Sequence, residues 1–106
     1  MKNILITGST GFLGGAVVAN LLQNRVKDRL LLLVRGETVE EGLKRLKANL
    51  KNFGLSESVI HTITPENIIL GDLALTENFI NDSRINDVTH VINCAAVASF
   101  GNNPTI

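Results

Sequence analysis

The sequence has 106 residues, the size of one small domain whose single core buries roughly two thirds of the surface of the unfolded chain. Ten basic and ten acidic side chains cancel, so no net field would draw nucleic acid or an anionic membrane to the protein. The one cysteine, Cys94, excludes an internal disulfide framework and fits a reducing compartment.

The amino-terminal residues carry no targeting pattern. Met1 and Lys2 lead directly into a strand pattern, which leaves no room for the charged and apolar regions of a signal peptide. The longest apolar run, Leu30 to Val34, is far too short to span a bilayer. We therefore expect a cytoplasmic protein without a membrane span.

Four short runs of Ile, Leu and Val alternate with helical patterns along the chain. Near-continuous apolar runs are typical of strands that are covered on both faces, as in a parallel sheet. The predicted strands are Ile4–Ile6, Leu30–Val34, Ile68–Leu70 and Val88–Ile92. The fold class is therefore α/β.

Helices are expected between these strands. The first is predicted from Gly11 to Asn24, where small and aliphatic residues form a stripe at helical spacing. A third helix is expected between Leu75 and Ile85.

The second helix has clearer boundary signals. Thr38 precedes Glu41 by three residues, which is the spacing of a capping box, and Gly54 is a stop after a periodic apolar face. Three lysines on the opposite face are interpreted as a solvated helix surface. Residues 54–66 are polar and reach Pro65, which predicts a loop.

The stretch NILITGSTGFLGG, residues 3–15, contains three glycines between the first strand and the first helix. Gly8 can adopt the dihedral angles of a tight turn, Gly11 can let phosphates approach the backbone, and Gly14 can let the helix pack against the strand. The N-terminus of a helix attracts a diphosphate through its unpaired N–H groups and partial positive charge.

Glycine spacing alone is equally compatible with a compact turn that binds nothing. The surrounding strand, turn and helix favour dinucleotide binding, and the absence of a following Gly-Lys-Ser/Thr argues against a triphosphatase loop. Ser9 and Thr10 add hydroxyl donors where a diphosphate would lie. The predicted phosphate-binding residues are Gly8, Ser9, Thr10, Gly11, Phe12, Leu13 and Gly14.

The end of the second strand, LLLVRGET, bears on the choice of dinucleotide. An acidic residue there would favour NAD, whereas an arginine accommodates the 2′-phosphate of NADP. Arg35 occupies this end, while Asp28 lies at the opposite end and Glu37 lies beyond the turn. We therefore predict NADP(H) over NAD(H), the alternative being that Arg35 is a surface arginine that ends a strand.

With these motifs the sequence resembles the extended short-chain dehydrogenase/reductases of the NAD-dependent epimerase/dehydratase superfamily. Within them it is similar to the thioester-reductase-like and fatty acyl reductase (male sterility) group. The likeness rests on ITGSTGFLG, LLVRG with KRLKANL, ILGDL, and HVINCAAVASF. It implies a Rossmann-like parallel sheet with flanking helices, four strands in the order 3-2-1-4, and residues 1–106 as the N-terminal part of a cofactor-binding domain.

The resemblance also implies further cofactor contacts. Asp72 and Leu73 would lie beside the adenine ring, and Arg45 would approach the 2′-phosphate. The ribose and nicotinamide side would be lined by Ala95, Ala96 and Val97.

Reductases of this kind use a tyrosine as acid/base, with a lysine four positions later and a Ser or Thr. The chain contains no tyrosine, so we predict no catalytic residue in it. Cys94 is interpreted as a small buried strand residue, and His61 and His90 lie away from the strand ends where ligands bind. No metal site is predicted.

The leading hypothesis is the NADP(H)-binding portion of a reductase that acts on acyl thioesters or related carbonyls, inactive alone. The alternatives are a fragment of an NAD-dependent sugar-nucleotide epimerase or dehydratase, and a non-catalytic module that senses NADP(H) or binds another protein. The open edge of the fourth strand is also a candidate surface for self-association.

Overall fold

The structure is a computed structural model and describes residues 2–24, 27–71 and 82–94. Its elements, in chain order, are β1 (Asn3–Thr7), α1 (Phe12–Gln23), β2 (Arg29–Val34), α2 (Val39–Lys51), α3 (Glu57–Ile60), a 3-10 helix (Pro65–Asn67), β3 (Ile68–Leu70), a second 3-10 helix (Ser83–Asp87) and β4 (His90–Asn93). The predicted alternation of strands and helices is confirmed.

The four strands form one parallel sheet in the order β3-β2-β1-β4. This is the order that the family resemblance implied, and the crossover connections between the strands are those that parallel neighbours require. Because all strands run the same way, their carboxyl ends meet at one edge of the sheet, where ligands bind in open α/β sheets. The turn after β1 lies at this edge.

Alternate residues of the strands point to opposite faces, so the sheet contributes to two apolar clusters. On one face, Ile6 and Leu32 pack with the buried side chains of α1 and α2, among them Val18 and Leu46. On the other face, the cluster of Leu5, Leu31, Leu33 and Ile69 packs with Ile85 and Val88. Burial on both faces explains why β1 and β2 are apolar runs without alternation.

The two long helices begin as predicted. Gly11 is the N-cap of α1, and Asn24 follows its last turn. The Thr38 hydroxyl accepts a hydrogen bond from the Glu41 backbone N–H over 3.1 Å, so the expected cap of α2 is present. After α2 the chain turns through Gly54, whose φ of +76° suits a glycine.

The prediction of a loop over residues 54–66 in place of a continued helix is right in that α2 ends at Lys51, but it misses the short helices in the segment. The segment contains α3, which is capped by Ser56. Leu55, Ile60 and Ile63 are buried in the cluster below α2. The apolar residues of the segment, Leu55, Val59, Ile60 and Ile63, have helical spacing, but the pattern is too short among polar residues to identify a helix by itself.

The region of the third predicted helix is only partly described. Of Leu75–Ile85, residues 75–81 lie outside the described residues, Asp82 is an N-cap, and residues 83–85 belong to the 3-10 helix Ser83–Asp87. In the described part of the chain, no helix is long and apolar enough to cross a membrane. β4 begins two residues later than predicted and has Val91 61% exposed at the sheet edge; self-association through this edge stays a prediction.

Candidate dinucleotide site at the end of the first strand

The glycine turn joins the end of β1 to the first turn of α1 with very little space between them. Gly8 has a φ of +72°, which is in the left-handed region. The Gly11 N–H donates to the Gly8 carbonyl oxygen over 3.0 Å and closes the turn. A Cβ added to Gly14 would lie 2.0 Å from that same oxygen. Gly8 is therefore required by its backbone conformation, and Gly14 by the close approach of α1 to the turn.

The N-terminus of α1 is left without a side-chain cap. Gly11 offers no side-chain acceptor, and the first turn contains no acidic residue. The leading N–H groups of a helix have no intrahelical partner and attract an anion. Gly11, Phe12 and Leu13 are exposed, so this end of the helix is open to a ligand. The geometry fits a diphosphate held by backbone N–H groups.

The two hydroxyl residues of the turn differ in accessibility. Ser9 is fully buried, and its Oγ has no hydrogen-bond partner among the described residues. In this conformation its hydroxyl would reach a ligand only after the turn shifts. Thr10 is partly exposed. Of the two hydroxyl residues, Thr10 is therefore the one that is open to a ligand at this turn.

Asn49, on α2, contacts the turn although sequence reasoning did not single it out. Its Nδ2 donates to the Ser9 carbonyl oxygen over 3.1 Å and to the Gly11 carbonyl oxygen over 3.0 Å. The local signal in the sequence is slight. Asparagine is a poor helix former, and Asn49 stands in the last turns of α2 between the exposed Ala48 and the buried Leu50. Its partners lie about forty positions away, so no local pattern indicates them.

Phe12 is 82% exposed at the start of α1. Its ring lies 5.8 Å from the ring of Phe53, centroid to centroid, at a tilt of 44°. Tilted aromatic pairs at this separation are favourable. The pair therefore joins the start of α1 to the segment after α2, in addition to the contact that Asn49 of α2 makes with the turn.

The structure brings together the two arginines that were predicted to meet the 2′-phosphate. Arg35 directly follows β2, and Arg45 lies in the middle of α2. The Arg45 Nη1 donates to the Arg35 carbonyl oxygen over 2.8 Å. Both residues are exposed, and the hydrogen bond places the Arg45 guanidinium beside the backbone of Arg35 at the carboxyl end of β2.

The ends of β1 and β4 are joined by side-chain hydrogen bonds. The Thr7 hydroxyl donates to the Asn93 Oδ1 over 2.6 Å and accepts from the Cys94 N–H over 3.2 Å. Thr7 is 2% exposed, and Cys94 is buried as predicted. These contacts fix the end of β4 beside the glycine turn.

Several predicted contacts lie outside the described residues: Asp72, Leu73, Ala95, Ala96 and Val97. The described chain stops next to both groups. The Gly71 N–H donates to the Val34 carbonyl oxygen over 3.1 Å at the end of β3, and Cys94 follows β4. Within residues 2–24, 27–71 and 82–94, no three His, Cys, Asp or Glu side chains form a group that could hold a metal ion.

The parallel sheet, its strand order and the glycine turn define a Rossmann-like dinucleotide-binding protein. The sequence profile of a family of NAD-binding proteins described as "Male sterility protein" matches residues 6–104. The chain belongs to this family, and its cofactor class is a nicotinamide dinucleotide.

Among curated relatives, the chain is similar to L-2-aminoadipate reductase of Schizosaccharomyces pombe, with 33% identity over 92 residues that cover 86% of this chain and 6% of that protein. It is 44% identical over 71 residues to a linear gramicidin synthase of Brevibacillus parabrevis, covering 66% of this chain and 1% of that protein. It is 33% identical over 116 aligned positions to probable fatty acyl-CoA reductase 5 of Arabidopsis thaliana, covering 93% of this chain and 23% of that protein.

Among solved structures, the terminal R domain from the myxalamid PKS-NRPS biosynthetic pathway aligns with a TM-score of 0.68 and 25% identity, covering 89% of this chain and 24% of that one. The aureusimine biosynthetic cluster reductase domain aligns with a TM-score of 0.61 and 25% identity, covering 95% of this chain and 25% of that one. The chain thus spans less than a quarter of the length of the curated relatives named above. The findings identify it as a dinucleotide-binding, reductase-type domain of the thioester and acyl reductase family.

Proposed function

We propose that the chain is the NADP(H)-binding portion of a reductase that acts on acyl thioesters or related carbonyls. The observation that carries the proposal is the N-terminus of α1, which has no side-chain cap and follows a turn rich in glycine. Because glycine has no side chain, a ligand can approach the backbone there. Backbone N–H groups at this position suit a diphosphate. The phosphate contacts are assigned to Gly8, Ser9, Thr10, Gly11, Phe12, Leu13 and Gly14.

The preference for NADP(H) is supported by Arg35 and Arg45. The Arg45 guanidinium donates to the Arg35 backbone carbonyl over 2.8 Å, so it is held at the strand end where the adenosine ribose lies in such folds, next to Arg35. A guanidinium forms charge-assisted, often bidentate bonds with a phosphate, which the free hydroxyl of NAD does not offer. Asp72 and Leu73 are proposed to flank the adenine, and Ala95, Ala96 and Val97 the nicotinamide side.

The substrate class is supported by the names of the relatives. Two are fatty acyl-CoA or aminoadipate reductases, and the aligned structures are reductase domains of biosynthetic assemblies. An acyl-CoA is a thioester, and hydride transfer from the nicotinamide to its carbonyl carbon is the chemistry that the cofactor supplies when bound.

The chain is proposed to provide cofactor binding without the acid/base step. It contains no tyrosine, and therefore lacks the residue expected to protonate the carbonyl oxygen. Residues 1–106 are accordingly proposed as the N-terminal part of the cofactor domain. The chain covers less than one quarter of the length of its two reductase relatives, which is consistent with this assignment.

The test is the reaction of the complete polypeptide that carries this chain. It is incubated with NADPH and a series of acyl-CoA thioesters, and NADPH absorbance and aldehyde formation are followed. We expect NADPH consumption that depends on the thioester and is much slower with NADH. Conversion of a sugar nucleotide with NAD would contradict the proposal and support an epimerase or dehydratase. Tight NADPH binding without turnover of any carbonyl would support the sensing module.

A further inference from the structure

Asn49 joins α2 to the glycine turn through both donors of its side-chain amide. The amide nitrogen has two hydrogens, and each has a carbonyl acceptor in the turn, Ser9 at 3.1 Å and Gly11 at 3.0 Å. Both donors are therefore used on the backbone of one short segment. A role in general packing would not require this pairing.

These two carbonyls have a fixed relation to two N–H groups. The carbonyl of Ser9 shares a peptide plane with the N–H of Thr10, and that of Gly11 shares one with the N–H of Phe12. No peptide bond of the described residues is cis, so in each plane the carbonyl and the N–H point in opposite directions. The Gly11 carbonyl also accepts from the Gly15 N–H over 2.9 Å, so α1 and Asn49 together fix that plane. With the two carbonyls held toward α2 by Asn49, the N–H groups of Thr10 and Phe12 are turned away from it.

Gly15, in the first turns of α1, packs closely against the Asn49 amide. A Cβ added to Gly15 would lie 2.5 Å from the Asn49 Nδ2 and 2.7 Å from the Phe53 ring. Gly15 thus leaves room for the amide to reach the turn. A donor at each carbonyl also polarises the peptide plane, which makes its N–H a stronger donor.

We infer that Asn49 is a positioning residue that directs the N–H groups of Thr10 and Phe12 toward the diphosphate of the cofactor. The inference rests on the proposed dinucleotide site. It assigns a role in cofactor affinity to a residue that does not touch the cofactor.

The experiment compares Asn49→Asp and Asn49→Ala with the wild-type protein. Asn49→Asp keeps the shape but replaces the donor by a carboxylate, which repels both carbonyls. Asn49→Ala removes the donor without adding charge, so a folding defect of one variant leaves the other informative. The control is Asn52→Asp, which adds the same charge at the exposed C-cap of α2, where no hydrogen bond to the turn is lost.

Two readouts are used. The first is the amide ¹⁵N resonances of Thr10 and Phe12 without ligand, which respond to hydrogen bonding at the carbonyl in the same peptide plane. The second is the affinity for NADPH and for inorganic pyrophosphate, corrected for the folded fraction from a denaturant titration. We expect both Asn49 variants to shift the two resonances and to lose about tenfold in affinity for both probes. The ratio of NADPH to NADH affinity should stay constant, because the arginines are untouched.

Unchanged Thr10 and Phe12 resonances, or wild-type affinity in the folded variants, would overturn the inference. An equal loss in Asn52→Asp would also overturn it, because the effect would then be one of charge. If the wild-type protein bound neither probe, the proposed function would fail, while the resonances would still decide whether Asn49 orients these peptide planes.

Discussion

Arg45 donates a hydrogen bond from its Nη1 to the carbonyl oxygen of Arg35 over 2.8 Å, so a residue of α2 is tied to the end of β2. The residues lie ten positions apart and belong to different elements. The contact holds the Arg45 guanidinium next to Arg35, near the strand end at which an NADP 2′-phosphate would lie. Cofactor preference is therefore expected to depend on both.

Arg35→Ala is expected to lower the ratio of NADPH to NADH affinity by about 10- to 100-fold, because a charge-assisted contact to the 2′-phosphate is lost. Arg45→Ala should lower the ratio in the same direction. The measurement is a pair of fluorescence titrations for each variant. Arg29→Ala, at the opposite end of β2, is the matched control and should leave the ratio unchanged. An unaltered ratio in Arg35→Ala would mean that the arginine merely ends a strand.

Gly14→Ala is expected to destabilise the fold by at least about 3 kcal/mol, because its Cβ would lie 2.0 Å from the Gly8 carbonyl oxygen. Gly11→Ala meets that oxygen only at 3.4 Å and should change stability by less than about 1 kcal/mol. Its methyl group would instead stand at the exposed N-terminus of α1 and weaken NADPH binding. Urea unfolding and NADPH titration separate the two effects. A Gly11→Ala protein that binds NADPH normally would argue against a diphosphate at this turn.

The glycine turn and most of the fold could be predicted from the sequence because both leave local signals. β1 and β2 are apolar runs, α2 begins at Thr38 with its cap, and the turn glycines are bracketed by a strand and a helix. Each of these features depends on residues a few positions apart. The strand order, by contrast, could be predicted only through the family resemblance.

The parts that could not be predicted depend on contacts across long stretches of chain. Asn49 binds carbonyls about forty positions away, and nothing near it in the sequence identifies those partners. Leu55 and Ile63 are buried below α2 although their neighbours are polar. The contact between Arg35 and Arg45 requires the angle between β2 and α2, which a sequence pattern does not specify.

Ser9→Ala is expected to raise the free energy of unfolding by about 1 kcal/mol. The Ser9 Oγ is buried without a partner among the described residues, and an unsatisfied buried hydroxyl carries a desolvation cost. Urea unfolding measures the change, and Thr10→Ala, at a partly exposed hydroxyl, should not share the gain. A loss of stability in Ser9→Ala would show that the hydroxyl is bonded in solution.

The carboxyl group of Asp82 is expected to contribute to the pH dependence of stability. A side-chain hydrogen bond from Arg84, with the charge of that guanidinium, lowers the pKa of Asp82, against the opposing effect of partial burial. The Arg84 Nη2 lies 2.6 Å from the Asp82 Oδ2. Since the native pKa is below the unfolded one, the stabilisation is fully present above the unfolded value of about 3.9 and is lost as the pH falls through the native pKa.

Asp82→Asn should therefore be less stable than the wild type at neutral pH, and the difference should shrink as the pH falls below about 4. Denaturant unfolding at a series of pH values measures it. Asp87→Asn removes the same charge at the last residue of the 3-10 helix that Asp82 caps, and is the control, for which a smaller difference at neutral pH is expected. A pH-independent difference between Asp82→Asn and the wild type would contradict the assignment.

The most direct test of the dinucleotide site is a titration of the ¹⁵N-labelled protein with NADPH, followed through its backbone amide resonances. We expect saturable binding, with the largest shifts at residues 8–14 and further shifts at Arg35. Saturable binding with the largest shifts elsewhere in the chain, or no shifts at a large excess of NADPH, would contradict it.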